Sequence, residues 1–285
     1  MHTPTTADDT RHRFFLPHDD LVFKDIFADP NDLEPARAFL AAALGLPPDE
    51  LSQLELMDPT LRLDNTGHRH IIFDVRLRTT GANIDIEIQL LNSKDFPQRL
   101  THYAAALLIA GLAPGQRYNE ARKAICVAVT DFDLTGNNAY ASTHQMCNIN
   151  TGEPLTDIIE IDLLELPKLP ATSDGTPIWG WLQFLAAKTR KDLDMAATID
   201  PVIDQAARKV LAFNDDEIKR ELAWREWKQI QAEQGREDYV REQGIEQGIE
   251  QGRQEVARAM LTDGFAPSRV AQLTGLTAEQ VAALA

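Results

Sequence analysis

The chain has 285 residues, 44% of them apolar and 25% charged, enough for one large core and a smaller appendage. No apolar run approaches the eighteen or so residues that span a bilayer, and the N-terminus lacks the basic, apolar, small-residue order of a signal peptide, so a cytoplasmic protein with no membrane segment is expected. The net charge of −16 excludes a uniformly basic nucleic-acid binder, because phosphate neutralisation rests on Lys and Arg.

Residues 1–14 are polar and read as disordered. A first helix is expected over about Asp19–Phe27 and a second over Asp32–Leu44, with Gly45 as its C-cap. Pro47-Pro48 leads toward a strand around Leu51–Leu63 that holds Asp58-Pro59. Two strictly alternating segments follow, Ile71–Arg78 and Asn83–Leu90, flanking a Thr80-Gly81 turn. Phe73, Val75 and Leu77 share one face of the first strand; Ile84, Ile86, Ile88 and Leu90 share one face of the second. A hairpin centred on the turn sets Asp74 across from Glu87 and Arg76 across from Asp85. Opposed like charges destabilise a strand pair, and a hard divalent cation with oxygen ligands relieves two adjacent carboxylates. A solvated acidic face with a slipped register is the other reading that the spacing permits.

Asp95 and Pro97 open a long helix through Leu112, apolar nearly all round and so expected to lie buried across a sheet. Lys123–Thr130 reads as a central strand, with Cys126 as a small buried hydrophobe, and Ile158–Leu164 as another. The two cysteines, Cys126 and Cys147, have neither metal spacing nor a disulfide framework. His68, His70, His102 and His144 lack the spacing of zinc ligands. After a helix around Trp179–Lys188 the chain reads as helical throughout from Ala196. Between Asn214 and Val256 it carries twelve acids against seven bases, which concentrates negative charge away from the hairpin.

Gly244, Gly248 and Gly252 recur in an Glu-Gln-Gly repeat, each costing a helix about 1 kcal/mol relative to Ala. The repeat is read as a mobile connector, with glycines for close helix approach as the competing explanation. The last thirty residues suggest a helix over Gln254–Thr262, a break at Asp263-Gly264, a helix over Pro267–Leu273 and a Thr277/Gln280 capping box. Their spacing is that of a helix-turn-helix. Glu279 and Gln280 on its last helix favour packing or self-association over base reading. The element order predicts a mixed α/β layer. Domain divisions are expected at 1–14, 15–195, 196–253 and 254–285.

Asp74 followed by Glu87-Ile88-Gln89 resembles the D…(D/E)-x-K core of restriction-endonuclease-like nucleases. It is more similar still to the D…E-x-Q form in the recombination-promoting nuclease/transposase (Rpn-type) family of the PD-(D/E)xK superfamily. Further segments resemble that family's motifs in the same order. These are Asp20–Phe27 (D-x-x-F-K-x-x-F), Gln98–Tyr103 (Q-R-x-x-x-Y), Gly115–Tyr118 with Thr130-Asp131-Phe132, Glu165–Lys168 (E-L-P-K) and Trp181–Leu185 (W-x-x-F-L).

The resemblance implies a restriction-endonuclease-like fold, a mixed central sheet flanked by helices with a helical C-terminal extension. It also implies a DNA endonuclease that uses Mg²⁺, with Mn²⁺ as a substitute, in recombination or mobile-element breakage. Asp74, Glu87 and the backbone carbonyl of Ile88 would be metal ligands, and Gln89 would stand where the superfamily carries Lys. An amide offers hydrogen bonds there but no charge. Asp20, Lys24, Gln98, Arg99 and Tyr103 would be accessory residues, with Arg99 a bidentate phosphate donor. Helix N-cap is the alternative role for Asp20, and core aromatic for Tyr103. A basic rim of Lys24, Arg76, Arg78, Arg99, Arg117, Arg122 and Lys123 would face DNA. Two other functions are carried forward: a nuclease scaffold that binds nucleic acid or a partner without cutting, and a homo-oligomer assembled through the C-terminal helices.

Overall fold

Period-2 and period-3.6 apolar patterns become a six-stranded mixed sheet with helices on both sides in the computed structural model, which describes residues 13–46, 49–62 and 70–284. The chain divides into two units, Met1–Ala223 and Trp224–Ala285.

In the first unit, α1 (Asp20–Phe27) buries Val22, Phe23, Ile26 and Phe27, one helical stripe. Phe23 packs on Phe27, and Phe27 in turn packs on Phe39 of α2 (Glu34–Leu44) and on Trp181. Gly45 closes α2 at φ 63°, a left-handed C-cap that costs glycine nothing. The principal sheet has the order β1 (Glu55–Leu56), β4 (Val75–Arg78), β5 (Ala82–Gln89), β6 (Lys123–Thr130), β8 (Pro154–Glu165), β7 (Ala141–Cys147). β5, β6 and β8 run parallel, and the other neighbours pair antiparallel. A crossover through α3 (Phe96–Ala110) links β5 to β6, as a parallel pair requires.

The hairpin register is the expected one. Val75 pairs with Ile86, Arg76 with Asp85 and Leu77 with Ile84. Its first strand, however, is not continuous. β3 (His70–Ile72) pairs with β2 (Thr60–Arg62) in a separate two-stranded sheet, and the chain breaks at Phe73-Asp74 before β4 begins. Phe73 donates its N–H to the Pro59 carbonyl at 3.1 Å and packs with Ile71, Ala104 and Leu107 on the α3 side. It therefore does not share a face with Val75 and Leu77, whose partners Ile86 and Ile84 lie opposite. The expected strand at Leu51–Leu63 is likewise two short strands, β1 and β2, interrupted at Asp58-Pro59; Leu63 and His68 lie outside the described residues.

α3 presents Phe96, Leu100, Ala104 and Leu107 to the sheet, while Ile109 is exposed, so it covers the sheet with one stripe rather than all round. β7 had no reading in the sequence because its partly exposed alternation (Ala-Ser-Thr-His-Gln-Met-Cys) carries little apolar signal. α4 (Pro177–Leu185), α5 (Arg190–Ala196) and α6 (Pro201–Asp215) complete the unit. α6 buries Ile203, Ala206, Val210 and Phe213, and Asn214 exchanges hydrogen bonds of 2.8 Å with the backbone of Phe15. The boundary expected at 195 thus falls inside this unit. Arg13, grouped with the disordered N-terminus, is ion-paired with Asp19 at 2.6 Å; residues 1–12 lie outside the described residues.

The Glu-Gln-Gly repeat is helical: α7 (Glu217–Thr262) runs for 46 residues without interruption. A Cβ added at Gly235, Gly244, Gly248 or Gly252 would meet nothing within 4 Å, so no described residue approaches these glycines closely. In the second unit, Ala257 of α7, Val270 of α8 (Pro267–Thr274), Leu276 and Val281 of α9 (Ala278–Ala282) form a small core. The expected capping box is present: Thr277 accepts from the Gln280 N–H at 3.2 Å, and Gln280 accepts from the Thr277 N–H at 2.8 Å.

Candidate active site

The break at Phe73-Asp74 shapes the site. Asp74 lies just ahead of β4, opposite Glu87 near the end of β5. The Asp74 N–H donates to Glu87 Oε1 at 3.1 Å, and the Ile88 N–H donates to Asp74 Oδ2 at 3.1 Å. Each carboxylate is thus held by a backbone N–H of the facing strand segment, Glu87 by Asp74 and Asp74 by Ile88. In an extended strand the N–H and C=O of one residue face the same edge, so the Ile88 carbonyl also faces the Asp74 side. The Gln89 carbonyl turns the other way, accepting from the Asp131 N–H at 3.1 Å.

Asp85 is a third member that the sequence left among the polar face residues. It is fully buried, and both of its carboxylate oxygens lack a hydrogen-bond partner among the described residues. Its place was legible, since it shares the alternating face with Glu87; what was not legible is that α3 roofs that face. Burial first, and then repulsion from a neighbouring carboxylate, shift all three acids. Glu87 is pushed up to about 8, by desolvation and by Asp74. Asp85 is raised well above the usual carboxylate range by desolvation and by Glu87 and Asp74. Asp74, whose side chain is 20% exposed, is raised by desolvation and by Asp20, against the opposing pull of Lys24. Three acids held out of water with few donors resist ionising together, leaving a cluster of oxygen ligands that a cation would favour in the charged form.

The accessory residues divide. Lys24 of α1 lies 2.7 Å from Asp20 Oδ2 and 3.5 Å from Asp74 Oδ1. Asp20 is not the N-cap; Asp19 occupies that position, accepting from the Leu16 N–H at 2.7 Å. Gln89 is engaged at both ends of its amide: Oε1 accepts from Arg99 and Nε2 donates to the Leu91 carbonyl at 2.8 Å. The Arg99 guanidinium also lies 5.0 Å from the centre of the Phe96 ring. Tyr103 packs edge-on to Phe73 at 5.3 Å and is half-buried, its phenol pushed up to about 12 by desolvation and by Glu87. Gln98 is exposed on α3.

The expected basic rim is only partly gathered here. Arg78 pairs with Glu55 at 2.5 Å and Lys123 with Glu160 at 3.0 Å, while Arg76 donates to the Asp58 carbonyl at 3.1 Å.

Two other motifs are structural. Glu165, fully buried, accepts from Leu134 N–H (2.6 Å), Thr135 N–H (3.1 Å), Thr135 Oγ1 and Lys168 Nζ (both 2.8 Å), pinning the loop after β6. Trp181 and Phe184 belong to the aromatic core. Cys126 is buried as expected, its thiol raised first by burial and then by Asp85.

The family description PD-(D/E)XK nuclease family transposase matches residues 17–235. A second, Rpn/YhgA-like nuclease family, C-terminal HTH domain, matches residues 250–285. No curated protein and no solved structure shows a significant match. Among the described residues no helix is long and apolar enough to cross a membrane.

Proposed function

We propose that this chain, which belongs to the PD-(D/E)XK nuclease family of transposases and carries an Rpn/YhgA-like C-terminal helix-turn-helix domain, is a Mg²⁺-dependent DNA endonuclease of the cytoplasm that acts in recombination or mobile-element breakage. The observation that carries the reading is the pair of backbone hydrogen bonds, Asp74 N–H to Glu87 and Ile88 N–H to Asp74, that fixes the two acids beside the orphaned carboxylate of Asp85.

The donors suit a hard cation. They are all oxygen, and nearby Lys24 offsets their repulsion only in part, since all three acids stay raised. Asp74, Glu87 and the Ile88 carbonyl would hold Mg²⁺, with Mn²⁺ as a substitute. Among the described residues no group of three or more His, Cys, Asp or Glu side chains is arranged to hold a metal ion; the reading needs only Asp74 and Glu87, since Mg²⁺ keeps several waters and takes one or two protein carboxylates. When bound, such an ion activates water and neutralises charge on a scissile phosphate. The chain's own contribution is positional. The two backbone hydrogen bonds fix both carboxylates, α3 keeps water from their buried side, and Gln89 holds Arg99 at the strand end. DNA is the partner, approached with the helix-turn-helix domain, whose small core leaves Arg269 and Gln272 on the surface.

Supercoiled plasmid should be nicked or linearised with Mg²⁺ and left intact in EDTA. Asp74→Ala and Glu87→Ala should each abolish cutting; full activity in either variant rejects the assignment. A second reading, a nuclease scaffold that binds without cleaving, is favoured by one observation: Gln89 is neutral and its amide is already engaged at both ends. Calorimetric titration separates the two, since Mg²⁺ binding without cleavage supports the second.

A further inference from the structure

The D…(D/E)-x-K pattern sets a lysine two residues after the second acid, and this chain has Gln89 there, with no charge and with its amide committed to Arg99 and the Leu91 carbonyl. The two arginines on this face are also engaged: Arg99 with Gln89 and against the Phe96 ring, Arg76 with the Asp58 carbonyl and 5.9 Å from the centre of the Phe73 ring. An ammonium does reach the acids, from another element. Lys24 Nζ lies 3.5 Å from Asp74 Oδ1 and 2.7 Å from Asp20 Oδ2.

From this juxtaposition we infer that Lys24, delivered by α1 and aimed by Asp20, supplies the positive charge that the strand position lacks, contacting the attacking water and the phosphate beside Asp74. The inference rests on the reading of Asp74 and Glu87 as the hydrolytic centre.

Three features argue for this role over a plain surface ion pair. α1 is anchored by four fully buried side chains, Val22, Phe23, Ile26 and Phe27, so its placement does not need the pair. Asp20 precedes Lys24 by one helical turn, the favourable orientation for such a pair, and this fixes an otherwise flexible side chain. The side chain keeps 34% of its surface in solvent, so a ligand can reach it. A lysine is a compact point charge that acts on the groups around it without a fixed bonding geometry.

The test uses the full chain with Lys24→Met, Lys24→Arg and Lys24→Met/Gln89→Lys. Lys24→Met should cut kcat by about 100- to 1000-fold, the loss typical of removing one preorganised donor from a charged transition state. Lys24→Arg should keep activity within about tenfold, and adding Gln89→Lys to Lys24→Met should recover at least about tenfold, on the order expected for restoring part of that electrostatic contribution.

Binding gives a readout independent of turnover. Without DNA, Lys24→Met should bind Mg²⁺ about three- to tenfold more tightly by calorimetry, because an opposing charge has left Asp74, while Lys24→Arg should match the wild type. Unchanged thermal melting confirms that the variants fold, and Lys24→Gln replaces Lys24→Met if that variant does not. Lys24→Met activity within a few-fold of wild type while Asp74→Ala is dead overturns the inference alone, as does equal Mg²⁺ affinity in Lys24→Met and wild type. Equal loss in Lys24→Met and Lys24→Arg with no recovery by Gln89→Lys assigns Lys24 to packing and also overturns it. No Mg²⁺-dependent cleavage by the wild type overturns the hydrolase reading itself, and this inference with it.

Discussion

Glu87→Gln should remove cutting and at the same time stabilise the metal-free protein. Glu87 is buried, and its carboxyl is pushed from 4.5 to about 8 by desolvation and by Asp74. Because the folded-state pKa lies above the unfolded one, the folded protein binds the extra proton between these values, and stability falls as pH rises through that window. Above pH 8 the residue is ionised in both states and the full cost applies, about 5 kcal/mol at 1.36 kcal/mol per pH unit. That is a ceiling, since the cost is shared with Asp74 and Asp85, and about half of it, roughly 2–3 kcal/mol, is the expected gain. Glutamine keeps the carbonyl oxygen that accepts from the Asp74 N–H and removes the charge.

At roughly 2–4 °C per kcal/mol for a unit of this size, the variant should melt about 4–12 °C higher than wild type at pH 9 in EDTA. The advantage should vanish below pH 4.5, where the wild-type carboxyl is protonated in both states. Mg²⁺ at a hundredfold excess over Kd should cancel the advantage, because binding to the native state alone adds about 2.7 kcal/mol, and the variant forfeits it. Equal melting at pH 9, or an undiminished Mg²⁺ shift in the variant, would refute the argument that burial and charge repulsion strain this site.

Asp162 is nearly buried, accepts from Thr143 Oγ1 at 2.6 Å and has Oδ2 without a partner among the described residues; burial pushes it up to about 6. Its raised pKa means that stability is lost between pH 4 and 6, so Asp162→Asn should stabilise by about 1–3 kcal/mol at pH 7.5 and by nothing near pH 3.5, read from urea midpoints. Glu165→Ala takes the acceptor from four donors, the Lys168 ammonium among them, and should cost about 3 kcal/mol or more in the same assay; a neutral result would remove the loop-clamp role of the E-L-P-K segment. Replacing Gly244, Gly248 and Gly252 together by Ala should raise helicity by circular dichroism and stabilise α7 by up to about 3 kcal/mol, as their Cβ positions are open. Destabilisation would instead mean that another helix approaches that stripe.

Much of the local structure was written in residue order. Alternation gave the hairpin and its register, because one face of each strand is apolar and a one-residue slip would turn every side chain over. Thr277 and Gln280 announced their capping box, and Gly45 its helix end, because caps are short-range hydrogen-bond and φ requirements. The continuous apolar run at Lys123–Thr130 marked a strand buried on both faces. Collinear motifs identified the family before any geometry was known.

What the sequence by itself determined was therefore most of the inventory, β7 and the split of the Leu51–Leu63 strand apart: the main helices and strands, which strands pair within a hairpin, and that Asp74 meets Glu87. Only the tertiary structure decided what surrounds that meeting. The break at Phe73-Asp74 depends on β3 leaving the main sheet for β2, a pairing between partners eight to twelve residues apart. Burial of Asp85 depends on α3 lying across a face that looks solvated in one dimension, and the approach of Lys24 to Asp74 joins residues fifty positions apart in the chain. The physical reason is one of range. Propensity, capping and register act over a few residues and leave local patterns, whereas desolvation and charge pairing depend on which distant element supplies the neighbouring atoms.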